Sequence, residues 1–214
     1  MIHILCADVS LINKTEYDLL FDKASLQRQS RAQRYLNKED KVRCIVADAL
    51  VRHAVKKSLG ISDYAVMQDD GGKPYIQGQK NFHFNLSHSG RWVAIAYGDS
   101  PVGLDVQQMQ IDNIKVQRIC RLFAQDEAKY ILEAEKQSQI DRFFQVWTAK
   151  ESYLKYLGTG LCKALNSFSV LNEATHPGVE FFTNLRDGYC MTLCAQCSAS
   201  DIALINAQEL IEKL

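Results

Sequence analysis

The run from Phe82 to Gln107 constrains this chain most. Phe82 to Leu86 and Arg91 to Tyr97 read as two strand-forming runs around a tight Ser87-His88-Ser89-Gly90 turn. Val102-Gly103-Leu104-Asp105-Val106-Gln107 follows as a third strand. It carries one acid in apolar company. A carboxylate between Leu104 and Val106 costs several kcal/mol to bury unless something pairs with it. A hard cation with oxygen ligands is one solution, and exposure at a strand end is the other.

The flanking chain sets the fold class. Lys38 to Leu59 is the longest helical signal, with Val42, Ile45, Val46, Ala49 and Leu50 at three- and four-residue spacing and Gly60 as its stop. Ile140 to Leu157 is its counterpart, ending at Gly158-Thr159-Gly160. Shorter helices are expected over Ser25–Leu36, Asp112–Leu122 and Asp126–Glu135. Strands are expected over Ile2–Val9, Phe168–Leu171, Val179–Thr183, Tyr189–Cys194 and Ile202–Asn206. Asp69 to Pro74 carries strong turn chemistry. Strands and helices do not alternate regularly, so a mostly antiparallel α+β layout is favoured over a doubly wound sheet.

Composition narrows the partners. Lys+Arg and Asp+Glu both number 25, so there is no basic excess of the kind a general nucleic-acid binder carries. The seven cysteines (Cys6, Cys44, Cys120, Cys162, Cys190, Cys194 and Cys197) lack paired CxxC spacing and read as buried reduced thiols. The amino terminus has neither a basic start nor a long apolar run, so no signal peptide or membrane span is expected, and a cytoplasmic location follows.

Two further constellations carry chemistry. Glu151 and Lys155 stand one turn apart on the helical run Trp147-Thr148-Ala149-Lys150-Glu151-Ser152-Tyr153-Leu154-Lys155 and share a face with Trp147. They read equally as a surface ion pair or as a metal ligand and general base beside a phosphate-binding ammonium. Ser87 and His88 can both donate to a phosphate oxygen; the other reading is a hairpin with local serine hydrogen bonds.

Taken in order, F-N-L-S-H-S-G-R-W, G-L-D-V, W-T-A-K-E-S-Y-L-K and G-T-G-L resemble the 4′-phosphopantetheinyl transferases of the larger, two-half type that serve peptide and polyketide synthases. The resemblance covers roughly residues 28 to 170 and includes Gly71-Gly72-Lys73-Pro74. It implies a pseudo-twofold fold of two similar halves, 1–103 and 104–214, each with a long helix against a small sheet. Coenzyme A would lie in the cleft between them. It also implies transfer of phosphopantetheine from coenzyme A to a serine of an apo acyl or peptidyl carrier protein, releasing adenosine 3′,5′-bisphosphate.

Carried over residue by residue, Asp105 and Glu151 would hold Mg²⁺ (or Mn²⁺), and Lys155 and His88 would orient phosphates. Lys73, Ser87, Arg28, Arg31 and Arg43 would be further coenzyme A contacts. Glu151 would act as general base, directly or through a metal-bound water, with a lysine base as the alternative. The family often places a second acid where this chain has Gln107, a weaker ligand that would complete the metal site itself or through a water. Lys115, Arg118 and Arg121, within Ile114 to Phe123, are the expected carrier-protein patch; the plain alternative is a solvated helix. Two halves in one chain imply a monomer. The competing functional readings are a non-catalytic coenzyme A or carrier-binding module and a Mg²⁺-dependent diphosphate hydrolase.

Overall fold

The computed structural model describes residues 1–160, 163–196 and 199–214, and their side chains except those of 199–201. Leu161, Cys162 and Cys197 of the expectations above lie outside the described residues. The fold is α+β. One sheet has the order β4-β5-β1-β9, with β1 at Ile2–Asp8, β4 at His83–Ser89, β5 at Trp92–Gly98 and β9 at Ala199–Leu204. A second sheet has the order β6-β8-β7, from Val102–Gln108, Tyr189–Ala195 and Glu180–Arg186. Its pairings are antiparallel, as are β1–β5 and β4–β5; β1–β9 is parallel. A short ribbon, β2 (Val66–Gln68) with β3 (Pro74–Ile76), closes around the Asp69–Lys73 turn.

Each main sheet is covered by one long helix. Helix α3, Lys38–Leu59, lies on the first sheet, and α6, Lys136–Leu157, lies on the second. Both have 22 residues and both end on a left-handed glycine, Gly60 (φ 68°) and Gly158 (φ 70°). An L side chain there would be strained, so glycine at each end fixes the stop. Helix α3 buries Ile45, Val46, Ala49 and Leu50 against Phe84 and Ile95 of the first sheet. Helix α6 buries Phe143, Phe144 and Val146 with Cys190 of β8, and Tyr153 and Leu154 with Cys194. Full burial of one such aliphatic or aromatic side chain is worth about 1.5–3 kcal/mol. The two sheets meet through their other faces, with Ile4, Cys6, Ala94 and Ala96 against Val102, Leu104 and Leu193.

The remaining helices are α1 (Lys14–Lys23), α2 (Leu26–Arg34), α4 (Asn113–Cys120), α5 (Gln125–Leu132) and α7 (Ala207–Lys213). The end of the chain returns to its beginning: β9 joins β1, and α7 packs on α1 and α3. Cys6, Cys44, Cys120, Cys190 and Cys194 are buried and unpaired. Burial pushes the Cys6 thiol up to about 12 and the Cys190 thiol up to about 11.

Two expectations need correction. Phe168–Leu171 is not a strand. The Leu165 and Phe168 carbonyls accept from the Lys150 ammonium, each at 2.7 Å, and the Val170 N–H donates to Glu127 at 2.7 Å. Side chains satisfy that backbone, so no ladder is needed. Ser87 and His88 also lie outside the turn. Strand β4 stays in register with β5 as far as Ser89↔Trp92, leaving only Gly90 and Arg91 to turn the chain.

The junction between the sheets positions the site. β4 and β6 run side by side, held by side chains instead of a backbone ladder. Asn85 Oδ1 accepts from Leu104 N (2.9 Å), Ser87 Oγ from Val106 N (3.1 Å) and Ser89 Oγ from Gln108 N (2.9 Å). The strand period of two puts all three polar residues on one side of β4.

Candidate active site

Asp105 projects from β6 towards α6 and is 2% exposed. Its Oδ1 accepts from Lys155 Nζ at 2.7 Å and from Ser87 Oγ at 3.0 Å, and its Oδ2 accepts from Gln107 Nε2 at 3.2 Å. Lys155 completes its coordination on Ser87 Oγ (3.1 Å) and the Leu104 carbonyl (3.0 Å). Three oxygens from two strands thus surround one ammonium, which is the donor chemistry a hard cation selects.

A close helix–strand crossing brings Lys155 to this point. A Cβ on Gly103 would lie 1.9 Å from the Ser152 carbonyl oxygen and 2.5 Å from Tyr156 N. Only glycine lets α6 pass this near to β6. Glu151, one turn before Lys155, is partly buried, and its carboxylate makes no hydrogen bond or ion pair among the described residues. Burial raises its pKa, the charge of Asp105 raises it further, and Lys155 partly offsets both. An unpartnered carboxylate held reluctant to ionise beside a second carboxylate is equipped to take a proton or a cation.

Cations gather on the α3 side. His88 points away from Ser87 and is exposed. Loss of solvent is the largest cause that lowers its pKa, followed by Arg43 and Lys155, with Arg31 adding to them and Asp40 opposing. Arg43 is fixed by bonds to the Gly90 carbonyl and to Asp40 Oδ1, both 2.7 Å. Arg31 bonds the Tyr35 hydroxyl at 3.3 Å. Two expected cations stand elsewhere. Arg28 faces Asp48, with Nε 3.6 Å from Oδ1. Lys73 donates to the Tyr156 carbonyl at 2.8 Å, over the Tyr156 ring, and loss of solvent lowers its pKa. Its loop touches the end of α6, where a Cβ on Gly71 would lie 1.6 Å from the Gly158 carbonyl oxygen.

Comparison with known proteins decides the family. The model of the 4′-phosphopantetheinyl transferase superfamily matches residues 101–204, and a model named 4′-phosphopantetheinyl transferase, N-terminal, matches residues 13–99. The 4′-phosphopantetheinyl transferase ffp of Bacillus subtilis is 32% identical over 94% of this chain and 95% of its own length. The 4′-phosphopantetheinyl transferase Sfp of Bacillus subtilis strain 168 is 30% identical over the same shares. A further Bacillus subtilis 4′-phosphopantetheinyl transferase is 33% identical over 81% of this chain and 76% of its own.

The chain belongs to the 4′-phosphopantetheinyl transferase superfamily.

The two matched regions of this transferase meet between residues 99 and 101, just ahead of β6. Sequence reasoning missed three things in it. The Asn85 and Ser89 rungs left a visible signal, small polar residues alternating with apolar ones through β4. The Lys150–Glu127 pair did not, since the partners are far apart in sequence; it closes at 2.7 Å with both side chains 0% exposed. The bond from Arg91 N to the Tyr189 hydroxyl (3.2 Å), which ties the β4–β5 turn to β8, also left none. Among the described residues, no helix is long and apolar enough to cross a membrane.

Proposed function

We propose that this enzyme moves 4′-phosphopantetheine from coenzyme A to a serine hydroxyl of an apo acyl or peptidyl carrier protein, releasing adenosine 3′,5′-bisphosphate. The observation that carries this reading is the buried Asp105 beside Lys155 and the unpartnered Glu151, at the junction of the two sheets. The halves would be residues 1–103 and 104–214, with β9 joined to the first sheet and α7 packed on α1 and α3.

A divalent ion fits these residues. The Lys155 ammonium already has three oxygens within 3.1 Å, and Glu151 adds a free carboxylate. Mg²⁺ commonly takes one or two carboxylates and draws its other ligands from substrate phosphates and water. Asp105 and Glu151 would hold it, with Mn²⁺ as a substitute. Gln107 turns its amide nitrogen to Asp105, because a carbonyl facing a carboxylate would repel it. Its Oε1 becomes a ligand only if the amide rotates. When bound, the metal supplies stabilisation of the charge that builds on the diphosphate.

The residues of the chain do the rest. The carrier serine oxygen bonds to the β-phosphorus as the bond from that phosphorus to the bridging oxygen breaks. The leaving bisphosphate takes the electron pair. Glu151 accepts the hydroxyl proton. Lys155, Arg43 and Arg31 supply positive charge around the phosphates, and His88 supplies a donor. Arg28 and Lys73 complete the coenzyme A set, reaching phosphates by leaving Asp48 and Tyr156, while Ser87 stands beside it bonded to Asp105. The carrier would dock on α4, where Lys115, Arg118 and Arg121 stand exposed between the exposed Ile114 and Leu122. The buried free thiols suit a reducing cytoplasm, and two halves in one chain suit a monomer.

The test is to mix protein, coenzyme A, Mg²⁺ and an apo carrier, and weigh the carrier. A gain of one phosphopantetheine is expected. Free phosphopantetheine with an unmodified carrier would indicate a hydrolase, and no turnover would indicate a binding module.

A further inference from the structure

We propose that Ser87 is a positioning residue that acts through Asp105. The case rests on what one hydroxyl can do. A serine Oγ has one proton to donate and two lone pairs to accept with. Ser87 is 6% exposed, and all three are committed. It donates to Asp105 Oδ1 (3.0 Å) and accepts from Val106 N (3.1 Å) and from Lys155 Nζ (3.1 Å). No donor remains for a phosphate oxygen unless the bond to Asp105 breaks.

The neighbouring rungs show what this bond adds. Asn85 and Ser89 each take one β6 N–H, at Leu104 and Gln108. Among the described residues, neither side chain bonds to Asp105 or Lys155. They align β6 on β4, and Ser87 alone converts that alignment into a fixed carboxylate direction. Small side chains are required, because each rung sets how near the two strands run. Ser87 therefore carries the register of the first sheet to the acid of the second. Hydrogen bonds that orient a metal-holding carboxylate are typically worth 10- to 100-fold in metal affinity.

This inference rests on the reading of Asp105 as a metal-holding group. Mn²⁺ affinity, read by the electron paramagnetic resonance of the free ion at fixed coenzyme A, tests the two separately. Ser87→Ala should weaken Mn²⁺ binding about tenfold and lower kcat, with KM for coenzyme A unchanged. Ser87→Thr keeps the hydroxyl and should restore both. Asn85→Ala should lower Tm and leave Mn²⁺ affinity as it was. If Ser87→Ala fails to fold, Ser87→Cys, a weak donor of similar shape, carries the same expectation. Unchanged or tighter Mn²⁺ binding in Ser87→Ala overturns the inference. So does a raised KM at constant kcat, which marks a direct phosphate contact, or an equal Mn²⁺ loss in Asn85→Ala, which marks a general structural effect. Asp105→Asn separates the two ideas. If it binds Mn²⁺ like the parent, the reading of the metal site falls and the inference with it. If it loses Mn²⁺ while Ser87→Ala does not, the inference falls alone.

Discussion

Helix α6 carries two lysine–carboxylate pairs five residues apart, and both close at 2.7 Å. Lys150 with Glu127 is wholly enclosed. The ammonium also donates to two carbonyls and lies 4.0 Å from the Phe168 ring centroid, while the carboxylate accepts from Ala124 N and Val170 N. Burial pulls both partners towards neutrality, Glu127 upward and Lys150 downward, and their bonds oppose it. Lys155 with Asp105 keeps 29% of the lysine side chain exposed and has an unpartnered carboxylate beside it. Distance does not separate the two pairs. Access and an unsatisfied neighbour do.

The largest effect expected is on the open pair's neighbour. Glu151→Gln should lower kcat by about 10²–10⁴ with Tm near the parent's, since the change is isosteric and removes a base. Parent-like turnover would show that the open pair's surroundings do not do the chemistry. The raised Glu151 pKa has a sign as well. In the metal-free protein the Glu151 carboxyl should titrate above the ordinary carboxylate range, read by NMR, and a divalent cation should bring it down.

Next comes the closed pair. Lys150→Met leaves Glu127 buried and uncompensated and should cost about 3–5 kcal/mol by denaturant unfolding. The double change Glu127→Leu with Lys150→Met should recover much of that. Lys155→Met, by contrast, leaves Asp105 its Ser87 and Gln107 donors and removes a lysine that is 29% exposed, so it should cost less stability than Lys150→Met yet lower turnover. Equal destabilisation by the two lysine changes would erase the distinction.

Gly103→Ala sharpens the comparison from the backbone side. The added carbon meets main-chain atoms of α6, so a cost of about 1–3 kcal/mol is expected, together with lost activity, because the helix must lift. Of the two pairs, Lys155–Asp105 spans that crossing and Lys150–Glu127 does not. The smallest effect concerns His88. Its pKa should lie below the ordinary histidine value in the ligand-free protein and rise in Arg43→Met, which removes a nearby cation. Titration of the imidazole by NMR reads both.

Much of the fold was legible because its signals are local. The apolar spacing and the closing glycines located α3 and α6 to within a few residues. Strand-like apolar runs located β5, β6, β8 and the first half of β4. Phe168–Leu171 misled because its backbone bonds to a buried ion pair, and nothing in the spacing of its residues announces a side chain as hydrogen-bond partner. In the site, the sequence alone supplied the chemical inventory: Asp105 in apolar company, Glu151 one turn before Lys155, Ser87 beside His88. It could not say which partner each would take. Lys155 reaches Asp105 across 50 residues, Ser87 reaches Asp105 across 18, and Lys73 turns to Tyr156 across 83. Such choices depend on how closely a helix can cross a strand and on which polar groups are shut from water. Propensity and periodicity are settled residue by residue along the chain. Partner choice is settled by packing, which only the tertiary structure holds.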